Sequence, residues 1–370
     1  MRIKGTMALL GAVGMLAATS MLFAGGQKEG SAAGTQSAAT APASASGVEL
    51  LGSGASFPFP IYSKMFDEYN KAVGTKVNYQ SIGSSGGVKN IQNKVVDFGA
   101  SDAYLSDDQM HSFDAPVVHI PTVLGSIVVI YNLPGNPSLR LTGEVVADVF
   151  MGKITKWNDP AIAGLNPGTA LPAQEIIVAH RSDGSGTTFN FTYYLSKVSG
   201  AWSKGVGNAN SVNWPVGLGG AQNAGVAGIV KQTVGSIGYV ELAYALQNKL
   251  PYATLRNQAG NWITPSLDST SAAASGAMPS DTRVYLGNTG AANGYPIANL
   301  TWIIVYKEQS YGKRSPEQAK ALVKLLWWMT HDGEKYTKDL LYAPLPDAAV
   351  KSVEAILGSI TYGGKPVLAL

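Results

Sequence analysis

The sequence predicts an α/β fold built on largely parallel sheets. Short runs of apolar, β-branched residues alternate with segments of helical period. Gly- and Ser-rich turns join strand to helix along the whole chain. No internal repeat interrupts that order. With 370 residues, the chain is long enough for two sizeable cores.

Residues 50–56 are Gly-rich and lead into Pro58. Tyr62, Met65, Phe66 and Tyr69 follow at i, i+3, i+4 and i+7, one face of a helix that Gly74 ends. Residues 76–82 read as a strand. The turn 83–87 opens a helix through Val88, Ile91 and Val95, and residues 96–100 form a short buried strand closed by Ser101 and Asp102. The run 117–131 is almost wholly apolar and β-branched, hence a core strand. A short helix is expected over 143–151 and a strand over 176–179. The next helix, after the turn 180–188, has Phe189, Tyr193 and Leu195 as core candidates. Residues 237–242 and 302–306 are further strands. Ser315 caps a helix with Pro316 in its first turn. Its core stripe is Ala319, Leu322, Val323, Leu326 and Trp327, and a last helix covers 347–357. Trp157, Trp214, Trp327 and Trp328 read as core or lobe-interface residues.

Ahead of these elements, Arg2 and Lys4 precede an uncharged, Ala- and Gly-rich run over 7–24, the pattern of an export signal with cleavage after Ala24. The alternative is an uncleaved anchor, because the run just reaches spanning length. Residues 25–47 contain no large apolar side chain and read as a flexible tether, with folding from Val48. The chain has no cysteine, which excludes disulfides, thiolate metal sites and a cysteine nucleophile. His111, His119, His180 and His331 are dispersed, so no HExxH-type metal site exists and no metal or cofactor is expected. A net charge of +3 without Lys/Arg clusters argues against a nucleic-acid partner.

Three Ser/Gly turns stand where a loop meets a helix: 56–58, 83–87 and 183–188. The first turn of a helix offers unpaired N–H groups and the positive end of the macrodipole. Glycine lets an anion approach that backbone, and Ser and Thr hydroxyls add donors. Each turn alone would be an ordinary N-cap. Three in one chain, one preceded by Arg181 at a strand end, point to an oxyanion site. Asp183 could hold the Arg181 fork from behind or cap the helix. Asp102 beside an anion makes sense if the anion carries a proton for it to accept, as phosphate does at neutral pH and sulfate does not. Its simpler reading is a turn aspartate bonded to its own backbone. Residues 83–87 also match G-x-S-x-G, so a hydrolase with Ser85 as nucleophile and a histidine base is an alternative. A nucleotide enzyme is disfavoured, since no P-loop occurs.

The stretches 52–58, 78–91, 96–106, 152–162, 181–195, 235–245 and 340–350 together resemble the periplasmic phosphate-binding proteins of Pst-type ABC transporters. The likeness spans about Val48 to Pro366. It implies a type II periplasmic-binding-protein fold: two lobes, each a mostly parallel sheet flanked by helices, with the ligand in the cleft between them. The expected lobes are 48–122 with 296–370, and 123–295. Carried over, the phosphate contacts fall on Ser56, Phe57 (through its N–H), Ser84, Asp102, Arg181, Ser185, Gly186 and Thr187, with Asp183 behind Arg181. The family usually has threonine where Ser56 stands, which keeps the hydroxyl. The resemblance implies a non-catalytic, monomeric receptor in the periplasm or at the cell surface. It would deliver inorganic phosphate to the permease and ATPase subunits of a membrane transporter.

Overall fold

The computed structural model describes residues 47–367. The expected export signal (1–24) and all of the expected tether except Gly47 lie outside the described residues. Strands β1 (Glu49–Gly54), β2 (Lys76–Ser81) and β3 (Phe98–Ser101) are joined by helices α1 (Phe59–Val73) and α2 (Ser84–Gln92). β1 pairs in parallel with β2 on one side and β3 on the other. α1 turns Ile61, Tyr62, Met65, Phe66 and Tyr69 inward and ends at Gly74 in the left-handed region. Helix α2 stops at Gln92, so Val95 lies beyond it and is exposed rather than part of its apolar face.

After α3 (Asp107–His111) comes β4 (Val117–Tyr131), whose side chains are buried at every position but Val118. A strand covered on both faces must be apolar throughout, which is what its composition signals. β5 (Arg140–Leu141), α4 (Gly143–Phe150) and α5 (Pro160–Ala163) lead to β6 (Ile177–Arg181). Then follow α6 (Gly186–Val198), α7 (Gly200–Gly205), β7 (Leu218–Gly220), α8 (Gln222–Gln232) and β8 (Ser236–Glu241). α9 (Leu242–Gln247), β9 (Thr254–Arg256), β10 (Trp262–Ile263) and α10 (Leu267–Ala273) precede the second long strand, β11 (Ala298–Tyr306). α11 (Pro316–Met329), α12 (Asp347–Gly358), β12 (Thr361–Tyr362) and β13 (Lys365–Pro366) complete the described chain.

One eight-stranded sheet runs in the order β2-β1-β3-β11-β4-β8-β6-β7. Its two flanks are parallel, but β11 and β4 run antiparallel to their neighbours at the centre. β4 is shared: residues 117–126 pair with β11 and residues 127–131 with β8. Pro121 cannot donate to the ladder, and the register against β11 shifts at Thr301/Trp302, opposite it.

The expected burial of five aromatic residues needs correction. In α6 the buried rings are Phe191 and Tyr194, while Phe189 and Tyr193 are half-buried and pack on Tyr285. Both lie one position off the face that packs on α4 and the sheet. Trp157 is core, but Trp214, Trp327 and Trp328 are half-buried; Trp214 stacks on His180 and Trp327 on His331. Among the described residues, no helix is long and apolar enough to cross a membrane.

Candidate functional site

The C-terminal ends of β1, β2 and β6 deliver the three Ser/Gly turns to one place, and the end of β3 adds Asp102. Glycine makes the approach possible. A Cβ on Gly83, whose φ is +86°, would lie 2.4 Å from the Asp183 carboxylate. One on Gly186 would lie 2.7 Å from both Asp102 Cβ and Ser84 Oγ. The turns of the first flank thus rest directly on the turn of the second.

Ser56, Phe57, Ser84, Asp102, Arg181, Ser185, Gly186 and Thr187 are all buried. Ser84 opens α2, and its Oγ accepts the N–H of Gly186 at 2.9 Å and that of Asp102 at 3.3 Å. Both bonds use its lone pairs, leaving the hydroxyl proton free to donate. Ser185 caps α6 by accepting the Thr188 N–H at 3.0 Å. Ser56 lies three residues before α1 and caps nothing there; its Oγ instead accepts the backbone N–H and Nδ2 of Asn223 at 3.1 and 3.0 Å. Phe57 is held by its carbonyl, which accepts the Tyr342 hydroxyl at 2.6 Å.

Arg181 ends β6 with its side chain 1 % exposed. Asp183 grips it from the side: Nε donates to Oδ1 at 2.7 Å and Nη2 to Oδ2. Burial pushes the Asp183 carboxyl up, yet the hydrogen bonds and charge of Arg181 outweigh it and hold the group below its ordinary value. Nη1 is turned the other way, toward Thr187 Oγ1 at 3.4 Å. One edge of the fork is therefore fixed and the other faces the site.

Asp102 follows β3. Thr301 donates to its Oδ1 at 2.9 Å and Thr187 to its Oδ2 at 3.4 Å. Burial pushes its carboxyl up to about 7, against the Thr301 hydrogen bond and the Arg181 charge. The simple turn reading fails, because the carboxylate bonds side chains from other elements rather than its own backbone. Its carbonyl is also held, by Nδ2 of Asn190 at 2.6 Å and of Asn299 at 3.0 Å.

Asn223, Thr301, Asn190 and Asn299 are the residues that sequence reasoning missed. Asn223 follows a Gly-rich turn between β7 and α8, a fourth loop-to-helix turn without Ser, Thr or Arg to mark it. Asn299 and Thr301 are polar positions in an otherwise apolar buried strand, which is the signal that could have singled them out. Ser85 Oγ is within 3.4 Å of Asn210 Nδ2, and no hydrogen bond joins Ser85 to a histidine among the described residues. His119 is buried and accepts the Leu105 N–H, and burial drives its pKa down to about 3. A groove of about 600 Å³, lined by Ser85, Lys89, Tyr104, Phe189 and Asn210 among others, runs beside the donors and contains none of them. Among the described residues, no cluster of three acidic, His or Cys side chains could hold a metal.

Buried backbone and hydroxyl donors, one clamped arginine and a carboxylate, gathered between two halves of an α/β sheet, define a two-lobed anion-binding protein. The PBP superfamily domain matches residues 31–332. Phosphate-binding protein PstS of Xylella fastidiosa (strain Temecula1) is 46% identical over 319 residues, covering 84% of this chain and 85% of the relative. PstS of Methanocaldococcus jannaschii is 36% identical over 305 residues, covering 76% and 78%. A solved phosphate-binding protein from Stenotrophomonas maltophilia has the same fold, with TM-score 0.65, 18% identity and coverage of 83% and 93%. A high-affinity periplasmic phosphate-binding protein solved with phosphate aligns at TM-score 0.67, 19% identity and coverage of 87% and 98%. The chain belongs to the PstS family of phosphate-binding proteins, and its fold is the two-lobed type II fold of that superfamily.

Proposed function

We propose that this protein is an exported, non-catalytic receptor that captures inorganic phosphate between its lobes and hands it to the permease of an ABC transporter. The observation that carries the reading is the pairing of Arg181, clamped by Asp183, with a buried Asp102 beside the same donors. A carboxyl pushed up to about 7 next to an anion-binding arginine suits an anion that shares a proton. The proposed contacts are Ser56, Phe57, Ser84, Asp102, Arg181, Ser185, Gly186 and Thr187. Asn223 and Thr301 orient Ser56, Thr187 and Asp102.

The lobes are 48–122 with 296–370, and 123–295, with β4 and β11 as the crossover strands. Both are held in ladders on each side, so rotation between the lobes bends them near the switch of β4 from β11 to β8. Residues 1–24 act as the export signal and 25–47 as a tether, and the receptor works as a monomer.

Calorimetric titration of phosphate-stripped protein tests this reading. One-to-one phosphate binding that excess sulfate leaves intact is the expected result. Competition by sulfate would make the site a generic oxyanion site, and absence of heat would remove the phosphate reading.

A further inference from the structure

Gln222 is the first residue of α8 and adopts φ = +61°, a left-handed backbone that a side chain other than Gly, Asn or Asp takes at a cost. Such a conformation persists where the surroundings impose it. Here they do so through three hydrogen bonds to two residues. The Gln222 N–H donates to Asp183 Oδ1 at 3.0 Å. Its Nε2 donates to the Ser81 carbonyl at 2.6 Å, and its Oε1 accepts the Ser81 hydroxyl at 3.1 Å.

Ser81 ends β2, and Gln222 directly follows the segment after β7. β2 and β7 are the two outermost strands of the eight-stranded sheet. On a flat sheet, seven strand spacings would separate them by about 34 Å. The sheet curls so far around the anion site that its two opposite edges meet, and the amide of Gln222 ties them. The other bonds between the flanks described above, such as Gly186 to Ser84 and Asn223 to Ser56, are made by the site turns themselves. Gln222 and Ser81 lie outside that donor set, half-buried at its rim.

We propose that Gln222 is an interlobe latch: its side chain holds the edge of the first lobe while its N–H holds Asp183, and through Asp183 the Arg181 fork. Closure and positioning of the anion-binding arginine are thereby joined in one residue. The inference rests on the phosphate reading for its ligand, but not for its geometry. Because the bonds to Ser81 exist only when the edges meet, the latch stabilises the closed form and slows release without affecting encounter.

The test compares wild type with Gln222→Gly and Gln222→Glu. Glycine accepts the left-handed backbone and keeps the N–H to Asp183 while deleting the side chain, so that variant is expected to fold. Glutamate cannot donate to the Ser81 carbonyl and brings a negative charge toward Asp183. Stopped-flow kinetics should show phosphate dissociation about 10-fold faster for Gln222→Gly, with association within about 2-fold of wild type. Gln222→Glu should release faster still. The phosphate-free thermal midpoint of Gln222→Gly should not fall.

A ligand-independent arm uses fluorophores on Lys89→Cys and Lys204→Cys, in a chain without native cysteine. The distance between the labels should broaden or lengthen in Gln222→Gly. Unchanged dissociation together with an unchanged label distance overturns the latch. A slower association with unchanged release also overturns it, since that would mark a role in encounter. If wild type binds no phosphate, the proposed function falls and the label distance alone decides the latch.

Discussion

Asp102 and Arg181 are the charged groups of the proposed site, and they are held in different ways. Asp183 fixes Arg181 through two charge-assisted hydrogen bonds. Removing that partner leaves a buried guanidinium uncompensated, so Asp183→Ala should destabilise the fold by about 2–4 kcal/mol and weaken anion binding. Chemical denaturation and titration check both effects. Asp102 is poised by burial. Its carboxyl lies at about 7 in the folded protein, well above the unfolded value, so the ligand-free fold retains a proton that the unfolded chain releases. Its contribution is therefore most favourable at acidic pH and is lost as pH rises from about 4 to about 7. Over that window the loss is on the order of 4 kcal/mol. Asp102→Asn should flatten this part of the stability–pH curve and weaken discrimination of phosphate from sulfate. An unchanged curve and unchanged selectivity would remove the proton-sharing role.

At the scale of elements, each site turn is placed by its strand and sealed by its helix. Gly186 shows how tight that placement is. Gly186→Ala puts a Cβ 2.7 Å from Ser84 Oγ and Asp102 Cβ, so the flanks must part. Overpacking of this kind costs about 1–3 kcal/mol, and here the expected result falls mainly on affinity, read by titration. Ser315 is the control. It forms a capping box with Gln318 on α11, away from the site. Ser315→Ala should cost about 1 kcal/mol in denaturant unfolding and leave binding unchanged. Ser185→Ala should lower both stability and affinity, because one hydroxyl caps α6 and belongs to the proposed donor set.

For the molecule as a whole, β4 joins the β11 side of the sheet to the β8 side, and a second carboxyl adds to the acid preference of the fold. Glu241, at the end of β8, caps α9 and accepts the Tyr342 hydroxyl at 2.8 Å, yet its Oε1 has no partner among the described residues. Burial raises it well above its ordinary value despite the Tyr342 bond. The sign is that of Asp102: stability is lost as pH rises through the raised value. Glu241→Gln should stabilise the protein at neutral and alkaline pH, as measured by thermal unfolding across pH. The site is enclosed and its charges are paired locally, so phosphate affinity should change little between low and moderate salt.

Local pattern determined much of this protein. The stripe of α1, the cap of α11 and the apolar run of β4 were legible because each follows from neighbours in sequence. So were the turns carrying Ser56, Ser84 and Ser185, since small residues at a helix start mark backbone that something must approach closely. Nothing in the chain order revealed the antiparallel centre of the sheet, which depends on where β11 inserts after a long excursion. Nor did it reveal the rings of α6, where one position of rotation separates core from rim. Asn223 and Thr301 became visible only when strands far apart in sequence met around Ser56 and Asp102. Gln222 belongs with them: its backbone angle and its bond to Ser81, 141 residues away, exist because the sheet curls until its edges touch. Local composition sets propensity and donors, whereas burial and long-range pairing decide which donors converge and what their protons do.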